Sequence, residues 1–464
     1  MNLTIKAITE YAKGTLLNGS PDKVLNNMTT DSRSVPEKAL FVPIKGEHMD
    51  GHRFLKGAVE NGAEAVLCEK PDLAEELLKD CPEVSVILVD DTTKALQNIA
   101  KGYRKTLSFP AVGVTGSVGK TTTREMISTA LSAGLDVFKT TKNFNNWLGV
   151  PTTLLSMDEG PDIAVLELGM NVPGELGLIS SLTNIDTAVI TNIGVAHMEF
   201  YGSQEKIARE KFTVTRGFDD DNPREKTLFL NAEDPYLMQL KDEAGCNTVL
   251  FGRCGSAEYE ARNIRTEEGK RVFDLYVRGE YRFPVRLTVL GDHNVLNATC
   301  ALAVADHYHV DLRKAAEKLE EYRGYAGRLQ EHEKDGIRYI DDTYNASPVS
   351  MKAGLDILEG LQNSGKKTAV LGDMFELGEN SPEFHREVVA YALTKKIDNL
   401  FLLGNNMKEA LQETDISNAP FRVRHFDDQE TLISLLKEES VSGDVIYLKA
   451  SNGMKFKEIL GALI

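Results

Sequence analysis

The sequence predicts an α/β protein whose parallel sheets are covered by helices on both faces. Near-continuous apolar runs such as AVGVTG, DIAVLELGM and TAVITNIG are typical of strands that are buried on both sides. Stretches of helical periodicity alternate with these runs, and a regular strand-then-helix order indicates a doubly wound parallel sheet. At roughly 150 residues per domain, a chain of 464 residues is expected to form about three domains.

Two breaks in this pattern divide the chain, one at KTLSFP and the other near GYAGRLQ. We therefore expect a small N-terminal α/β domain over residues 1–107, a central domain over 108–325 and a C-terminal Rossmann-like domain over 326–464. The central domain is predicted to be a P-loop ATPase-like, doubly wound sheet. Its last part, from Glu258 to Leu290, has short alternating runs that indicate an antiparallel edge or flap.

Composition restricts the class of partner. The chain has 53 Lys and Arg residues against 70 Asp and Glu residues, for a net charge of −17. Such an acidic surface argues against nucleic acid or an anionic membrane as the main partner. The five cysteines form no C-x-x-C pair, and no apolar run approaches the ~18 residues of a membrane span. We expect a cytoplasmic protein without membrane insertion, and a monomer is the working expectation.

The stretch VGVTGSVGKTTTRE, from Val112 to Glu125, predicts a phosphate-binding loop between a strand and a helix. Val114 occupies the position where the common form of this loop has a glycine. The alternative is an ordinary glycine-rich turn, but Gly-Lys-Thr at the start of a helix favours a nucleotide. The residues expected to contact it are Thr115, Gly116, Ser117, Val118, Gly119, Lys120, Thr121 and Thr122.

Three further residues gain interest when taken together, since Glu167 and His197, like Thr121, are attached to the strand ends of one predicted sheet. Glu167 closes an apolar strand, His197 follows the next strand, and Lys211 lies on a predicted helix. Taken singly, the histidine is more often an ordinary polar residue, and a helix lysine is usually a solvated charge. Asn294 and Asn297 stand at helical spacing, and the spacing leaves helix capping and contact with an adenine edge equally open.

Further motifs follow one another along the chain: TTDSRSV, FVPIKGEHMDGHRF, KNFNNWLGVPTTLL, LELGMNVPGEL, TNIGVAHMEFYGS, NAEDP, GDHNVLNA, GRLQ, DDTYNASPVSM, LGDMFELG and LKASNGM. In this order they resemble the Mur ligases, ATP-dependent enzymes that form amide bonds in peptidoglycan precursor synthesis. The resemblance extends over essentially the whole chain. The family uses a shorter loop, T-G-x-x-G-K-[ST], which accounts for Val114.

The resemblance implies a role for each candidate residue around the phosphates. Lys120 would bind the β- and γ-phosphates of ATP, while Thr121 and Glu167 would hold one Mg²⁺ ion. His197 would help to hold a second Mg²⁺ ion. Lys211 matches a lysine that is carbamylated by CO₂, which would turn a cation into an anionic oxygen ligand. Lys120, His197 and Lys211 are therefore the expected catalytic residues.

The resemblance also implies contacts farther from the phosphates. Asn294 would face the adenine, and Arg328 and Asp342 would reach the phosphates and the ribose. The implied substrates are UDP-N-acetylmuramoyl-tripeptide, held partly by the N-terminal domain, and D-alanyl-D-alanine, held by the C-terminal domain. The residues expected to contact the substrates are Ser32, Asn143, Asn145 and Asn345.

Two positions depart from the family pattern. Asn452 stands where the family usually has an arginine, so a bidentate contact to a carboxylate is absent there. Lys142 stands where a glycine is common. The alternatives to a D-alanyl-D-alanine-adding ligase are a ligase that adds glutamate to folate and a P-loop switch protein. The stretches NFNN and DDTYNASP favour the D-alanyl-D-alanine-adding ligase over the folate enzyme. A switch protein would not require Glu167, His197 and Lys211 together.

Overall fold

The computed structural model describes residues 1–46, 48–219, 221–417 and 419–464. The chain forms two compact units, each assembled from separate parts of the sequence. The first contains Met1–Thr115, Leu135–Val189 and Phe212–Leu228, and the second contains Gly116–Gly134, Ile190–Lys211 and Phe229–Ile464. Within the described ranges, no helix is both long enough and apolar enough to cross a membrane.

The N-terminal region contains a small mixed sheet. Its elements are β1 (Leu3–Thr4), α1 (Ile5–Ala12), β2 (Thr15–Asn18), β3 (Val24–Leu25), β4 (Asn27–Thr29), β5 (Ala39–Phe41), a 3₁₀ turn (Gly51–Phe54), α2 (Leu55–Glu60), β6 (Ala63–Cys68), α3 (Pro71–Asp80), β7 (Ser85–Leu88) and α4 (Thr92–Thr106). Five strands pair in the order β2-β7-β6-β5-β4, in which β2 is antiparallel to β7 and the other pairs are parallel. Phe41, Val66 and Leu77 belong to the core between this sheet and its helices.

A buried arginine joins the end of α4 to the chain that follows it. The Arg104 side chain is fully buried. Its guanidinium donates hydrogen bonds of 2.9–3.1 Å to four main-chain carbonyls, those of Leu107, Phe109, Thr183 and Asn184. Because a buried carbonyl without a donor costs free energy, these four bonds fix the path of the segment that leads into the next strand.

The middle of the chain is built on a nine-stranded sheet. Its elements are β8 (Ala111–Thr115), α5 (Lys120–Leu131), β9 (Val137–Lys139), α6 (Gly149–Leu155), β10 (Ile163–Glu167), α7 (Glu175–Ser180), β11 (Thr187–Ile190), α8 (Met198–Tyr201), α9 (Gln204–Phe212), β12 (Thr227–Asn231), α10 (Pro235–Leu240), β13 (Asn247–Gly252), β14 (Tyr259–Glu267), β15 (Lys270–Val277), β16 (Glu280–Leu287), α11 (Asp292–His307) and α12 (Leu312–Glu321), with 3₁₀ turns at Thr213–Gly217 and Lys241–Glu243. The strand order is β16-β15-β14-β13-β12-β11-β8-β10-β9.

The arrangement of these strands agrees with the sequence pattern. All five residues of β8 are buried, as its apolar run predicts. Strands β14, β15 and β16 pair antiparallel at the edge of the sheet, which confirms the change of pattern after Glu258. Strand β10 runs parallel to β8, and Glu167 is in register with Val114. The carboxylate therefore ends its strand at the level where β8 gives way to the glycine loop.

The C-terminal region is a second doubly wound sheet. Its elements are β17 (Gln330–Lys334), β18 (Ile337–Asp341), α13 (Pro348–Gly360), β19 (Lys367–Gly372), a 3₁₀ turn (Gly378–Asn380), α14 (Ser381–Leu393), β20 (Asn399–Leu403), α15 (Asn405–Gln412), β21 (Arg422–Phe426), α16 (Gln429–Glu439), β22 (Val445–Lys449), a 3₁₀ turn (Asn452–Met454) and α17 (Phe456–Leu463). The strand order is β17-β18-β22-β19-β20-β21, with β17 antiparallel and the rest parallel. Separate apolar clusters cover its two faces. The α/β fold class is confirmed, and the domain boundaries at 107/108 and 325/326 stay a prediction.

The buried arginine generates a first prediction. We expect Arg104→Met to lower the free energy of unfolding by about 3 kcal/mol or more, because several carbonyls lose their donor in a site closed to water. The measurement is urea denaturation followed by circular dichroism. Lys94→Met, on the same helix but 78% exposed at its side chain, is the matched control and should change stability by less than about 0.5 kcal/mol. Equal effects of the two changes would contradict the role given to Arg104.

Candidate active site

The loop between β8 and α5 has the backbone geometry of a phosphate cradle. Gly116 and Gly119 have φ angles of 149° and 85°, in the region that favours glycine. A Cβ atom at Gly116 would also overlap the hydroxyl of Thr191. Gly119 carries the N-cap position of α5, and since glycine has no side chain, the first amides of the helix are left for a ligand.

Two residues that follow β11 hold this loop in place. Thr191 Oγ1 donates to the main-chain oxygen of Val118 at 2.7 Å. The side chain of Asn192 contacts both polar atoms of the Val118 main chain, accepting from its nitrogen at 3.0 Å and donating to its oxygen at 2.8 Å. Sequence reasoning assigned no role to Thr191 or Asn192. The sequence could have indicated them, because both are polar residues that directly follow a buried strand in the motif TNIG.

The polar groups of the loop are arranged to meet an anion. Lys120 Nζ donates to the main-chain oxygen of Gly116 at 2.8 Å, so the ammonium lies over the loop. Thr121 is buried at the first turn of α5, and Thr122 is half-buried beside it. The Ser117 hydroxyl is buried and has no hydrogen-bond partner among the described residues, and the same holds for Thr115. Because buried polar groups are normally paired, these hydroxyls indicate room for a bound ligand.

His197 faces a carboxylate that the sequence did not single out. His197 Nδ1 lies 2.9 Å from Glu376 Oε2. The distance is that of an ion pair, but the alignment falls outside that of a hydrogen bond. Contact with His197 lowers the pKa of the Glu376 carboxyl, burial opposes this, and the charge of Lys120 lowers it further. Glu376 belongs to the motif LGDMFELG, four residues beyond the end of β19.

A cleft brings together the loop, His197 and several residues of the C-terminal region. Arg328 and Asn345 line it, together with Ser117, Val118, Gly119, Lys120, Thr121, Ala196, His197, Ala346, Ser347, Ser350, Phe375, Glu376 and Leu377. The Arg328 guanidinium lies 4.2 Å from the centre of the Tyr344 ring, and its Nε is buried without a partner in the described part of the chain. The cleft therefore combines a cationic floor with a carboxylate on its wall.

Lys211 lies on α9, as its sequence pattern predicts, and its side chain is buried with an exposure of 1%. Burial holds the pKa of the Lys211 ammonium well below its ordinary value, and the charge of Lys120 lowers it further, while Glu210 has the opposite effect. A buried lysine near a second cation is therefore poised to lose its proton.

Glu167 lies within the first unit, where it is paired with one of the predicted substrate residues. The Asn145 amide donates to Glu167 Oε1 at 2.7 Å. The Glu167 side chain is buried, and its main-chain nitrogen donates to Thr140 Oγ1 at 3.1 Å. Asn145 thus orients the carboxylate that is predicted to hold magnesium. The approach of Glu167 to Thr121 stays a prediction, as does a contact of Asn145 with substrate.

The other predicted substrate residues of the first unit lie on loops. Asn143 is exposed and follows Lys142, whose φ of 52° explains why a glycine is common at that position. Ser32 is half-buried in a turn after β4, and its carbonyl accepts a hydrogen bond from Asn61. Their contacts with a substrate stay predictions.

The asparagine pair on α11 links this helix to the helix of the phosphate loop. Thr123 Oγ1 donates to Asn297 Oδ1 at 3.1 Å, and Asn297 donates to Asn294 Oδ1 at 3.0 Å. Asn294 in turn donates to the carbonyl of Leu290 at 2.6 Å. The N-cap of α11 is Gly291, so capping is not what the asparagines do. The contact between Asn294 and adenine stays a prediction.

Asp342 forms a buried ion pair that sequence reasoning missed. Its Oδ2 atom lies 2.5 Å from Lys449 Nζ and accepts a hydrogen bond of 3.0 Å from the Tyr447 hydroxyl. Lys449 also donates to the main-chain oxygen of Asn345 at 3.0 Å. Oδ2 is thus occupied by contacts within the fold, and a predicted contact with ribose falls to Oδ1.

The predicted ligands include oxygen donors of the kind that magnesium prefers. Among the described residues, no three His, Cys, Asp or Glu side chains converge in the manner of a preformed metal centre. Mg²⁺ is usually held by one or two carboxylates together with substrate phosphates and water. The Thr121 hydroxyl and the Glu167 carboxylate are suitable donors of this kind, and His197 is the further predicted ligand.

Comparison with known proteins decides the family. Three models match consecutive parts of the chain, namely Mur ligase family, catalytic domain at residues 24–104, Mur ligase middle domain at 114–305, and Mur ligase, glutamate ligase domain at 327–452. A UDP-N-acetylmuramoyl-tripeptide–D-alanyl-D-alanine ligase of Bacillus subtilis strain 168 is 39% identical, over 99% of this chain and 98% of that protein. The chain belongs to the Mur ligase family.

Solved structures of other Mur ligases have the same fold. The MurF crystal structure from Acinetobacter baumannii is 28% identical with a TM-score of 0.89, covering 100% of this chain and 99% of that one. The MurF ligase from Thermotoga maritima, solved in complex with ADP, is 29% identical with a TM-score of 0.82, covering 94% and 97%. A folylpolyglutamate synthase from Mycobacterium tuberculosis is only 15% identical, and its TM-score of 0.62 indicates a shared fold alone.

The buried pair of Asp342 and Lys449 generates a second prediction. We expect Lys449→Met to lower the free energy of unfolding by about 3–5 kcal/mol, because the Asp342 carboxylate is left buried without a counter-charge. Adding Asp342→Asn should recover part of this loss, and a double-mutant cycle measured by urea denaturation gives the coupling.

Lys408→Met is the matched control, since it breaks an exposed pair with Asp427 at 2.8 Å and should cost less than about 1 kcal/mol. Strict additivity of the two changes at Asp342 and Lys449 would contradict their coupling.

Proposed function

We propose that this Mur ligase joins D-alanyl-D-alanine to UDP-N-acetylmuramoyl-tripeptide with the consumption of ATP, a step of peptidoglycan precursor synthesis. The observation that carries the proposal is the full-length likeness to a Bacillus subtilis protein named for this reaction. The phosphate loop and the cleft beside it support the use of ATP. ADP in the related Thermotoga maritima structure supports it as well.

The first step activates the terminal carboxylate of the tripeptide, which is a poor electrophile. A carboxylate oxygen attacks the γ-phosphorus of ATP, and ADP leaves with the electron pair of the broken P–O bond. Lys120 exchanges its contact with the Gly116 carbonyl for a phosphate oxygen and offsets the developing charge. Arg328, which lines the same cleft, is the second cation for this charge.

The second step forms the amide bond. The amine of the dipeptide attacks the acyl carbon, and a tetrahedral intermediate forms. The C–O bond to the phosphoryl group then breaks, inorganic phosphate leaves with the electron pair, and the amine loses its extra proton. Water would hydrolyse the acyl phosphate, so we propose that the C-terminal domain, residues 326–464, closes over the central one during the reaction.

We propose that two magnesium ions assist the first step and neutralise phosphate charge when bound. Thr121 and Glu167 hold one of them, with Asn145 orienting the carboxylate. His197 helps to hold the other. Residues 1–107 bind the UDP portion of the tripeptide substrate, and residues 326–464 bind the dipeptide. The enzyme acts as a cytoplasmic monomer.

Lys211 is proposed to carry a carbamate. A neutral amine reacts with CO₂ to form a carbamate and release a proton, and burial together with Lys120 favours the neutral amine of Lys211. The product is an anionic oxygen ligand suited to magnesium.

The acceptor and donor substrates can be tested directly. We expect the chain, with ATP and Mg²⁺, to form a UDP-linked pentapeptide from D-alanyl-D-alanine and one of two UDP-tripeptides, containing either L-lysine or meso-diaminopimelate at the third position. Mass spectrometry of the products identifies the substrate. ATP hydrolysis that neither substrate stimulates would overturn the proposal.

His197 separates a ligase from a nucleotide-dependent switch. We expect His197→Ala to reduce the rate of product formation by at least about 100-fold. The substitution removes a predicted metal ligand and also the imidazole that contacts Glu376. ATP affinity, measured by isothermal titration, should change little. A switch protein would be indifferent to this substitution, so an unchanged turnover rate would count against the ligase.

Carbamylation of Lys211 can be tested by chemical rescue. We expect Lys211→Ala to lower the turnover rate by about 100-fold or more, and short carboxylic acids to restore part of the activity. Lys206→Ala, which removes an exposed lysine from the same helix, is the control and should behave as the parent protein. Failure of rescue, together with the absence of a 44-dalton adduct in native mass spectrometry by the chemistry of CO₂ addition, would overturn the carbamate.

A further inference from the structure

The backbone of Glu376 is held in a conformation that its residue type disfavours. Glu376 has a φ of 62°, in the left-handed region that normally suits glycine. For a residue with a Cβ atom this conformation is unfavourable, and it persists only where the surrounding structure enforces it. Strained residues of this kind concentrate where a protein must aim a side chain at a ligand.

The segment before Glu376 is held by contacts on both sides. The Met374 amide donates to His385 Nε2 at 2.9 Å, and the Phe375 amide donates to Ser451 Oγ at 2.8 Å. One residue earlier, the Asp373 carboxylate accepts main-chain hydrogen bonds from Asn406 and Met407, of 3.2 Å and 2.9 Å. The scaffold of the C-terminal region therefore fixes the main chain immediately before Glu376, from which its side chain projects.

That carboxylate stands in cationic surroundings. It lies on the wall of the cleft that Lys120 and Arg328 also line, with its side chain 53% exposed and His197 at 2.9 Å. Once phosphates occupy the glycine loop, a carboxylate facing them is repelled unless a cation lies between the two anions. Within the proposed reaction, the organic cation that must enter this cleft is the ammonium group of the incoming dipeptide.

The packing around Glu376 connects it to the segment expected to recognise that dipeptide. The main-chain amide of Phe375, the residue before Glu376, donates a hydrogen bond to Ser451. Ser451 belongs to the motif LKASNGM, which contains the Asn452 departure from the family pattern. The Phe375 ring also packs so closely on Gly453 that a Cβ atom there would lie 2.9 Å from the ring. A dipeptide bound by residues 449–454 would thus present one of its ends beside Glu376.

We propose that the carboxylate of Glu376 binds the α-ammonium group of the incoming D-alanyl-D-alanine and holds it facing the phosphate loop. This assignment rests on the proposed ligase function. It gives the dipeptide a charged contact at its amino end. Its carboxyl end faces a segment in which Asn452 replaces the usual arginine. Glu376 is thereby a substrate-binding residue that favours a nucleophile with an amino group, which it binds in the ammonium form, over a nucleophile with a hydroxyl group.

The test is the steady-state kinetics of Glu376→Gln, which keeps the shape of the side chain and removes its charge. We expect the KM for D-alanyl-D-alanine to rise about 10- to 100-fold, the range for loss of a charge-assisted hydrogen bond. The KM for ATP and for the UDP-tripeptide should stay within about twofold, since neither contacts the lost charge. Glu379→Gln removes an exposed carboxylate from the same loop and should leave all constants unchanged.

A neutral analogue of the dipeptide sharpens the test. D-lactoyl-D-alanine has a hydroxyl in place of the ammonium, so its inhibition constant should differ little between the parent protein and Glu376→Gln. A fall in kcat with an unchanged KM for the dipeptide would assign Glu376 to the support of His197 and overturn the proposal. A changed requirement for Mg²⁺ with an unchanged dipeptide KM would overturn it too.

Pentapeptide formation by the parent protein distinguishes a failure of the proposed ligase function from a failure of the role assigned to Glu376. If the parent forms no pentapeptide, the proposed ligase function fails, and the assignment of Glu376 fails with it. If the parent forms pentapeptide and Glu376→Gln retains the parental KM for the dipeptide, the ligase stands and only the assignment of Glu376 fails. Circular dichroism and the thermal midpoint of the variant establish that it is folded in either case.

Discussion

The site depends on how the glycine loop after β8 is restrained. A phosphate cradle needs main-chain amides that point at the anion, and glycine alone would leave such a loop free to adopt many conformations. Here Thr191 and Asn192 bind both polar groups of the Val118 main chain. Thr191 and Asn192 directly follow β11, which is the neighbour of β8 in the sheet. The rigid sheet therefore restrains the loop through these two side chains. The cationic side chains then act from fixed positions.

Much of the fold could be predicted from local chemistry. Apolar runs on both faces of a sheet, the glycine loop at the start of a helix and the alternating runs near residue 260 each depend on neighbouring residues in the sequence. The positions of Glu167 at the end of β10 and of Lys211 on α9 agree with the same reasoning. The burial of Lys211 does not, because a lysine on a helix is usually a solvated charge. Residues in these settings are constrained by elements that the periodicity of the sequence reveals.

The contacts that could not be predicted join residues far apart in the chain. The pair Asp342–Lys449 depends on β18 and β22 being neighbours in the sheet, and the pair His197–Glu376 depends on which loops meet. Periodicity carries no information about either. Glu376 was visible only as one letter of a motif, since its left-handed backbone follows from support by the surrounding fold. The hydrogen bond from Asn145 to Glu167 could not be predicted for the same reason, because the two residues are 22 positions apart and no regular spacing relates them.

Arg104 has a consequence for how the chain can be divided. A fragment ending at residue 107 would retain this guanidinium and the Leu107 carbonyl, but it would lose the acceptors supplied by Phe109, Thr183 and Asn184. The Arg104 guanidinium would then be exposed to water on the side where these carbonyls had contacted it. The N-terminal sheet therefore does not form an independent folding unit, although its strands pair only with one another. In evolution it could be exchanged between relatives only together with the segments around Phe109 and Thr183–Asn184 that accept the hydrogen bonds of Arg104.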